Sequence, residues 1–320
     1  ETPPLVSDHQ LLRRIGAGSY GEVWLARSVM GAYRAVKIVW RNRFTDARPY
    51  EREYTGIQNF EPVSRSHPGL VHLLHVGRDD IAGLFFCVME LGDNETPGEA
   101  VEPDRYSPRT LQTELSRCGS LPAAQCIEIG LALARALEHL HQHGLIHRDV
   151  KPANVIFVNG IPKLADIGLV STVQKEGASV GTSGFMPPEG AGSPSADLFS
   201  LGKTLYEMAL GKDRQEFPQL PADIRQRPEK EILLSLNEII LKACATSVGQ
   251  RYSSASQMRA DLERLQQGQS LADLRLRRQR AWVMAGAATL AVLLTVGSFF
   301  PSNPPPLRPY LPEQGKGVPQ

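Results

Sequence analysis

Cysteine is scarce in this chain, and its arrangement argues against two classes of protein. Only four cysteines occur among 320 residues, and no two of them form a Cys-x-x-Cys pair. A disulfide-stapled secreted domain and a cysteine-rich zinc site both show denser, regularly spaced cysteines. We therefore expect reduced and mostly buried thiols at Cys87, Cys118, Cys126 and Cys244.

An excess of charge of one sign is also missing. The formal net charge is +1 at pH 7, so the molecule as a whole creates no field that would attract nucleic acid or an acidic partner. We predict no nucleic-acid binding. Internal repeats are absent too, and the length suits one large domain or two smaller ones.

Charge disappears completely from one long stretch. Residues 281–300 read AWVMAGAATLAVLLTVGSFF, without a charged side chain. A helix of that length rises about 30 Å, the thickness of the hydrocarbon core of a bilayer. Residues 268–280 form a basic juxtamembrane linker that should stay in the cytoplasm, so the Pro-rich tail 301–320 should lie outside. We predict a single-pass membrane protein that contacts lipid through 281–300; the alternative is a buried helix of a soluble domain.

Upstream of that segment, strand signals precede helix signals. After a short polar lead, residues 1–10, the stretch 11–91 alternates β-branched and aromatic residues between Gly-containing turns, with one weak helix over 46–60. Residues 92–267 begin with an acidic, Pro-containing loop and become helical by pattern from about Leu121. The sequence predicts an α+β fold with a strand-rich part followed by a helix-rich part.

A glycine-rich loop lies between the first two strand candidates. IGAGSYGEV contains Gly16, Gly18 and Gly21 in G-x-G-x-x-G spacing. A dinucleotide site needs a helix after such glycines, whereas the strand-like EVWLARS follows here. Strand, loop and strand can close over phosphates through backbone N–H groups, because glycine has no side chain to obstruct a close approach. A hairpin turn without a ligand is the alternative.

A lysine on the next strand candidate needs a partner. Lys37 has apolar neighbours on both sides and lies two residues from Ala35, so both share one side of the strand. If that side faces the glycine loop, Lys37 can reach the α and β phosphates. Buried lysines are rare unless they are paired. Glu53 in the weak helix is our candidate and Glu51 the alternative, since spacing alone does not choose between them.

A third stretch, GLIHRDVKPANVIF, carries Asp149, Lys151 and Asn154 on one short loop. Asp149 can accept the proton of an alcohol or orient it, and Lys151 can neutralise charge on a transferring phosphoryl group. The Asn154 side-chain oxygen and the carboxylate of Asp166 in LADIGL are ligands that Mg²⁺ accepts beside phosphates. Phosphoryl transfer asks a protein mainly for positioning and charge compensation, and this set supplies both.

With these motifs in place, residues 10–267 resemble the protein kinase family. GAGSYGEV, AVK, HRDVKPAN, DIG and PPE occur in the family's order. Lys151 within HRDVKPAN is typical of the serine/threonine branch. The whole is most similar to bacterial membrane-anchored serine/threonine kinases. The resemblance implies a bilobal fold, with a small β-rich N-lobe over 11–91 and a larger helical C-lobe over 92–267, followed by one transmembrane helix.

The resemblance also implies the chemistry of the site. The reaction would transfer the γ-phosphoryl group of ATP to Ser or Thr of a protein substrate, with Mg²⁺, or Mn²⁺ as the alternative. Asp149 would be the catalytic base or orienter, beside Lys151. Lys37 would pair with Glu53, and Asn154 and Asp166 would hold the metal.

Further residues would surround the nucleotide. Met89 would be the gatekeeper, and Glu90 and Leu91 the hinge that hydrogen-bonds adenine. The remaining residues of this set cover the phosphates or sandwich the purine: Ile15, Gly16, Gly18, Gly21, Val23, Ala35 and Ile156. For the apolar members of this set, ordinary core packing is the alternative interpretation.

The resemblance has departures and leaves an alternative function. Ile167 stands where the family has Phe after the metal-binding Asp, and Pro187 where it has Ala. A pseudokinase, a membrane-anchored nucleotide-binding or docking module without transfer, is the alternative to an active enzyme. Arg148 could receive a phosphate from the loop 170–183, which predicts autophosphorylation there and self-association to achieve it.

Three structural contacts are also implied by the resemblance. Glu189 would pair with Arg251, Asp197 would brace the catalytic loop, and His147 would hydrogen-bond within the core.

Overall fold

The computed structural model describes residues 3–18, 21–96, 98, 101–166, 171–172 (backbone) and 181–269. Contacts between Cα atoms divide the chain into a unit of residues 1–271 and a unit of residues 272–320. The second unit, with the apolar segment 281–300, lies outside the described residues. Within the described ranges, no helix combines the length and apolar character that crossing a bilayer requires.

The N-terminal lobe is one antiparallel sheet with one helix. The strands lie in the order β1-β2-β3-β5-β4. Their bounds are His9–Ala17 (β1), Gly21–Ser28 (β2), Tyr33–Trp40 (β3), Leu73–Asp79 (β4) and Leu84–Met89 (β5). The helix α1, Ala47–Arg65, contacts β4. It begins after Asp46, whose carboxylate accepts a hydrogen bond from the backbone N–H of Arg48 at 3.1 Å.

Helix α1 is longer than the weak helix predicted over 46–60. It continues past Pro62 to Arg65. Tyr50, Ile57 and Phe60 recur at helical spacing and are buried, so packing against the sheet stabilises the helix despite the missing N–H at Pro62. The other face of the sheet is covered by a second buried cluster: Val6, Ala26, Val36, Ile38, Leu84, Phe86 and Val88.

The C-terminal lobe is helical, with two small two-stranded sheets. Its helices are Leu111–Cys118 (α2), Ala123–Gln142 (α3), Pro194–Leu210 (α4), Lys230–Ala243 (α5) and Ala255–Gln266 (α6). The strands are Leu145–Ile146 (β6), Val155–Val158 (β7), Ile161–Leu164 (β8) and Ser171–Thr172 (β9); β6 pairs with β9 and β7 with β8. The apolar helix α3 contacts α4, α5 and α6, and so forms the centre of this lobe.

Two buried side chains hold the C-terminal lobe together. Asp197 at the start of α4 is fully buried and bonds to the loop that follows β6. The side chain of Arg251 is also fully buried, and both of its terminal nitrogens bond to the carboxylate of Glu189. These are the contacts that the resemblance implied.

All four thiols are free. Three are buried, and burial raises the pKa of Cys87, Cys126 and Cys244 to about 12. Cys118, at the end of the short helix α2, is exposed.

Candidate active site

One face of the N-terminal sheet gathers several of the predicted nucleotide contacts. Val23 lies opposite Lys37 in the β2–β3 pair, and Ala35 lies opposite Met89 in the β3–β5 pair. Directly opposed residues in an antiparallel pair carry their side chains on the same face. Ala35 and Lys37 are two residues apart on one strand, so all four side chains share a face.

The glycine loop joins β1 to β2 above that face. The Gly18 N–H donates to the Gly21 carbonyl oxygen at 2.9 Å, which closes the loop. A Cβ at Gly21 would collide with the Ile38 carbonyl and the Val39 side chain, so only glycine fits there. Gly16 lies opposite Val23, and Ile15 falls at a register irregularity just before it.

Lys37 connects the two lobes. Its Nζ donates to Asp166 Oδ1 at 2.7 Å and lies 3.7 Å from Glu53 Oε1. The Lys37 side chain is 11% exposed and that of Glu53 is 5% exposed. Burial by itself would lower the pKa of Lys37, but the carboxylates of Asp166 and Glu53 outweigh it and raise that pKa. The ammonium of Lys37 in turn lowers the pKa of Asp166 to about 2, so both groups are charged at neutral pH.

The positions of Glu51 and Glu53 on α1 show which of the two contacts Lys37. Glu51 accepts two hydrogen bonds from Arg78 of β4, at 2.7 and 2.8 Å. Glu53 lies on the buried stripe of α1 with Tyr50 and Ile57. Only Glu53 of the two is placed to contact Lys37.

Glu53 should make stability depend on pH. Burial raises its pKa to about 7, from the usual 4.5, against the opposing charge of Lys37. A raised carboxyl pKa means that the folded protein holds a proton which the unfolded chain has released. The contribution of Glu53 to stability is therefore complete below pH 4.5 and is lost as the pH rises through about 7.

We expect the Tm difference between the parent and Glu53→Gln to shift against the parent over this pH window, because glutamine does not titrate. Thermal unfolding of both proteins in matched buffers measures the difference. A difference that stays constant across the window would show that Glu53 ionises normally.

The loop after β6 directs its polar groups at Asp149. Lys151 Nζ donates to Asp149 Oδ2 at 2.6 Å, and Asn154 Nδ2 donates to the same oxygen at 2.9 Å. The backbone N–H and the hydroxyl of Thr182 donate to Oδ1, at 3.2 and 2.8 Å. Lys151 Nζ also donates to the Thr182 hydroxyl at 2.7 Å. Four donors thus fix the buried Asp149 carboxylate.

The donor set fits a hard cation. Asn154 uses its amide nitrogen on Asp149, which leaves its side-chain oxygen for a metal. The Asn154 carbonyl accepts from the Ala165 N–H at 2.8 Å, which holds Asp166 next to it. No three His, Cys, Asp or Glu side chains cluster as metal ligands within the described residues. A cation held by Asn154 and Asp166 would take its other ligands from phosphates and water.

Helix α4 supports this loop from below. Asp197 accepts hydrogen bonds from the backbone N–H groups of His147 and Arg148, at 2.9 and 2.8 Å, and contacts His141 Nε2 at 2.9 Å. His147 Nε2 lies 3.1 Å from the Ala165 carbonyl. Arg148 has a φ of 70°, a left-handed conformation that this bonding sustains.

The hinge is tied into both lobes. The Glu90 N–H donates to the His72 carbonyl at 3.2 Å. The Glu90 side chain accepts hydrogen bonds from Lys163 Nζ at 2.6 Å and from the His72 N–H at 2.8 Å. Within the part of the chain that the structure describes, the Glu90 carbonyl has no hydrogen-bond partner, so it is the backbone group of Glu90 that is free to bind a ligand. Among the described residues, neither backbone group of Leu91 has a hydrogen-bond partner, so both can serve a ligand.

Sequence reasoning missed several residues around the hinge. Lys163, which is 5% exposed, bonds the hinge from β8, and Tyr106 donates from its buried hydroxyl to the Gly92 carbonyl at 3.0 Å. Gly92 in turn faces Ile156 of β7, whose Cδ1 would lie 3.6 Å from a Cβ added at Gly92. Lys163 carried the same signal as Lys37, a lysine between apolar residues of a strand, and it could have been found that way.

These groups meet where the sheet faces the helical lobe. The carboxylate of Asp149, the ammonium groups of Lys37 and Lys151, and the side-chain oxygens of Asn154 and Asp166, which are of a kind that can bind a metal, lie close together there. This arrangement can hold a metal-bound polyphosphate and bring a hydroxyl to it.

Comparison with known proteins gives a consistent result. The family model described as "Protein kinase domain" matches residues 9–262. The serine/threonine-protein kinase PknB of Mycobacterium leprae is 32% identical over 294 aligned residues, which cover 84% of this chain and 44% of that protein. A probable serine/threonine-protein kinase of Clostridium perfringens, CPE1738, is 31% identical over 285 residues, covering 80% of this chain and 38% of that protein. The chain spans less than half the length of these relatives.

A solved structure shares the fold. The kinase domain of Mycobacterium tuberculosis PknI superposes with a TM-score of 0.59, at 24% identity, and the match covers 82% of this chain and 96% of that one. The shared fold is an N-terminal lobe built on a sheet and a helical C-terminal lobe.

Proposed function

The chain belongs to the protein kinase family, and from that premise we propose that it is an active serine/threonine protein kinase that transfers the γ-phosphoryl group of ATP to hydroxyls of a protein substrate. The relatives named above are serine/threonine-protein kinases, which supports the choice of acceptor. The metal would be Mg²⁺, with Mn²⁺ as the alternative.

One observation carries this proposal: Lys37 Nζ of the N-terminal lobe donates to Asp166 Oδ1 of the C-terminal lobe at 2.7 Å. Asp166 is joined through Ala165 to Asn154, and Asn154 bonds to Asp149. A phosphate chain held by Lys37 and by a cation on Asp166 and Asn154 would therefore end near Asp149.

The residues then have separate roles. Lys37 holds the phosphates and is itself oriented by Glu53. Asp149 accepts or orients the proton of the substrate hydroxyl, which would replace one of the four donors that now surround that carboxylate. Lys151 compensates charge on the transferring group. The metal, when bound, neutralises charge on the phosphates.

The alternative of a pseudokinase is not favoured. A nucleotide-binding module without transfer has no need for a carboxylate at the hydroxyl position, yet Asp149 is buried there with four hydrogen bonds. Lys37 and Asp166 are present as well.

Transfer of radiolabelled phosphate from ATP to a generic basic protein tests the activity. Incorporation on serine and threonine that requires a divalent cation is the expected result. If no phosphate is incorporated with either Mg²⁺ or Mn²⁺, the pseudokinase alternative would be favoured instead.

Arg148 suggests how the enzyme would be regulated. Its side chain is half-buried, and its Nε has no hydrogen-bond partner among the described residues. Burial lowers the pKa of this guanidinium, so a nearby anion would stabilise it. We infer that a phosphate on the loop 170–183, added within a transient self-association, would bind Arg148. Mass spectrometry after incubation with Mg–ATP should find that phosphate; an unmodified loop in an active enzyme would refute it.

We also propose that residues 281–300 anchor the catalytic domain to a membrane. The charge-free length and the arginines in 268–280 support a single span with the kinase domain in the cytoplasm and the tail 301–320 outside. The full chain should sediment with membranes and resist extraction by carbonate, whereas a variant lacking 281–320 should not. Equal behaviour of the two would refute the anchor.

A further inference from the structure

A short segment next to Asp149 is held at both ends. At its first residue, Thr182 bonds to the Asp149 carboxylate. At its last, the Phe185 carbonyl accepts from the Ser200 hydroxyl of α4 at 2.9 Å, and the Phe185 N–H donates back to the Thr182 carbonyl at 3.1 Å. The residues between, Ser183 and Gly184, are therefore presented as a fixed turn close to the catalytic carboxylate.

Arg214, from the turn after α4, binds the middle of this segment. Its Nε donates to the Ser183 carbonyl at 3.1 Å, and its guanidinium carbon lies 4.6 Å from the centre of the Phe185 ring. Nη1 donates to Glu207 Oε1 at 3.1 Å. The planar guanidinium can make these contacts in several directions at once, which a lysine cannot do.

Arg214 is itself fixed to α4. Its backbone N–H donates to Glu207 Oε1 at 3.2 Å, and its carbonyl accepts from Lys203 Nζ at 3.0 Å. Gly184 has a φ of 85°, and a Cβ added there would lie 2.9 Å from Arg214 Nε. Glycine at 184 is thus what lets the arginine approach the segment so closely.

We propose that Arg214 is a positioning residue for the protein substrate. It fixes the shape of residues 182–185, beside which the chain carrying the acceptor hydroxyl must pass to reach Asp149. This inference rests on the proposed kinase activity. Arg214 contacts none of the residues assigned to ATP or metal, so its effect should be confined to the protein substrate.

The test compares the steady-state constants of Arg214→Met, Arg214→Lys and the parent, with a basic protein as substrate. We expect the KM for the protein to rise about ten-fold in both variants, because a displaced segment 182–185 binds the substrate less well in the ground state and in the transition state alike. The KM for ATP and the slow hydrolysis of ATP without protein substrate should not change.

Arg259→Met is the matched control. Arg259 is a half-exposed arginine on α6 that bonds to Glu138 and Glu263, both at 2.8 Å, and it contacts none of the site residues. The Arg259→Met variant should lower the Tm about as much as Arg214→Met does, without raising the KM for the protein. Gly184→Ala should raise that KM as the Arg214 variants do, since the added Cβ displaces the guanidinium.

Three outcomes would overturn the inference. An unchanged KM for the protein in the Arg214 variants would remove the positioning role. If the KM for the protein and the KM for ATP both rose in proportion to the loss of Tm, Arg214 would only stabilise the fold. A parent enzyme that transfers no phosphate would overturn the proposed function and this inference together, which separates that failure from the first two.

Discussion

Asp149→Asn is expected to lower kcat by about 10³-fold, within the range that a positioned general base or orienting group contributes. Asparagine has the same shape but only one acceptor oxygen, so it can still accept either from Lys151 and Asn154 or from the two donors of Thr182. What it loses is the negative charge that accepts the hydroxyl proton. The KM for ATP should stay within a factor of about two, because Asp149 contacts neither Lys37 nor Asp166.

Single-turnover phosphate transfer with saturating Mg–ATP measures this effect, since it isolates the chemical step from product release. The Tm of the variant should fall modestly, because two of the four donors around residue 149 lose their acceptor. A variant that retains more than about one-tenth of the parental rate would remove Asp149 from the reaction.

Lys37→Met is expected to lower kcat/KM for ATP by about 10²- to 10³-fold, the loss seen when one preorganised electrostatic contact is removed. The change leaves the buried Glu53 and the partly exposed Asp166 without the cation that lies between them. Both the phosphate contact and the charge balance are therefore lost, and the pKa of Asp166 should rise from about 2.

The Lys37 variant has a clear control. Lys242→Met removes an ion pair with Asp261, 3.3 Å apart, and a contact with the Tyr252 ring, both within the C-terminal lobe. It should affect stability without affecting the KM for ATP. Nucleotide titration with a fluorescent ATP analogue and Mg²⁺ compares the two. Equal affinities of the parent and Lys37→Met would contradict the assigned role.

The site residues with a linear signature could be predicted from the sequence. Lys37, Asp149, Asn154 and Asp166 each lie within a short motif whose local conformation fixes the side chain. The two-part architecture followed as well, because the alternation of β-branched residues stops before the helical spacing begins. Neither prediction needed contacts between distant residues.

Distant contacts that neither a local pattern nor the family resemblance relates could not be predicted from the sequence. Glu90 and Lys163 are 73 positions apart, and no local pattern relates them. The short helix α2 also escaped, because it has only eight residues and is stabilised by a capping box between Thr110 and Thr113.

The choice of Glu53 over Glu51 had an overlooked signal. The apolar residues Tyr50, Ile57 and Phe60 lie three before, four after and seven after Glu53, on one face of the helix. Glu51 is off that stripe. Reading the full period of α1, rather than the spacing to Lys37, would have identified the buried glutamate.

A crystal structure of the chain with a non-hydrolysable ATP analogue and Mg²⁺ tests the central claim most directly. We predict a metal at about 2.1 Å from side-chain oxygens of Asp166 and Asn154, with Lys37 Nζ on the phosphates and the terminal phosphate facing Asp149. A nucleotide bound elsewhere, or a metal that contacts neither Asp166 nor Asn154, would contradict the account.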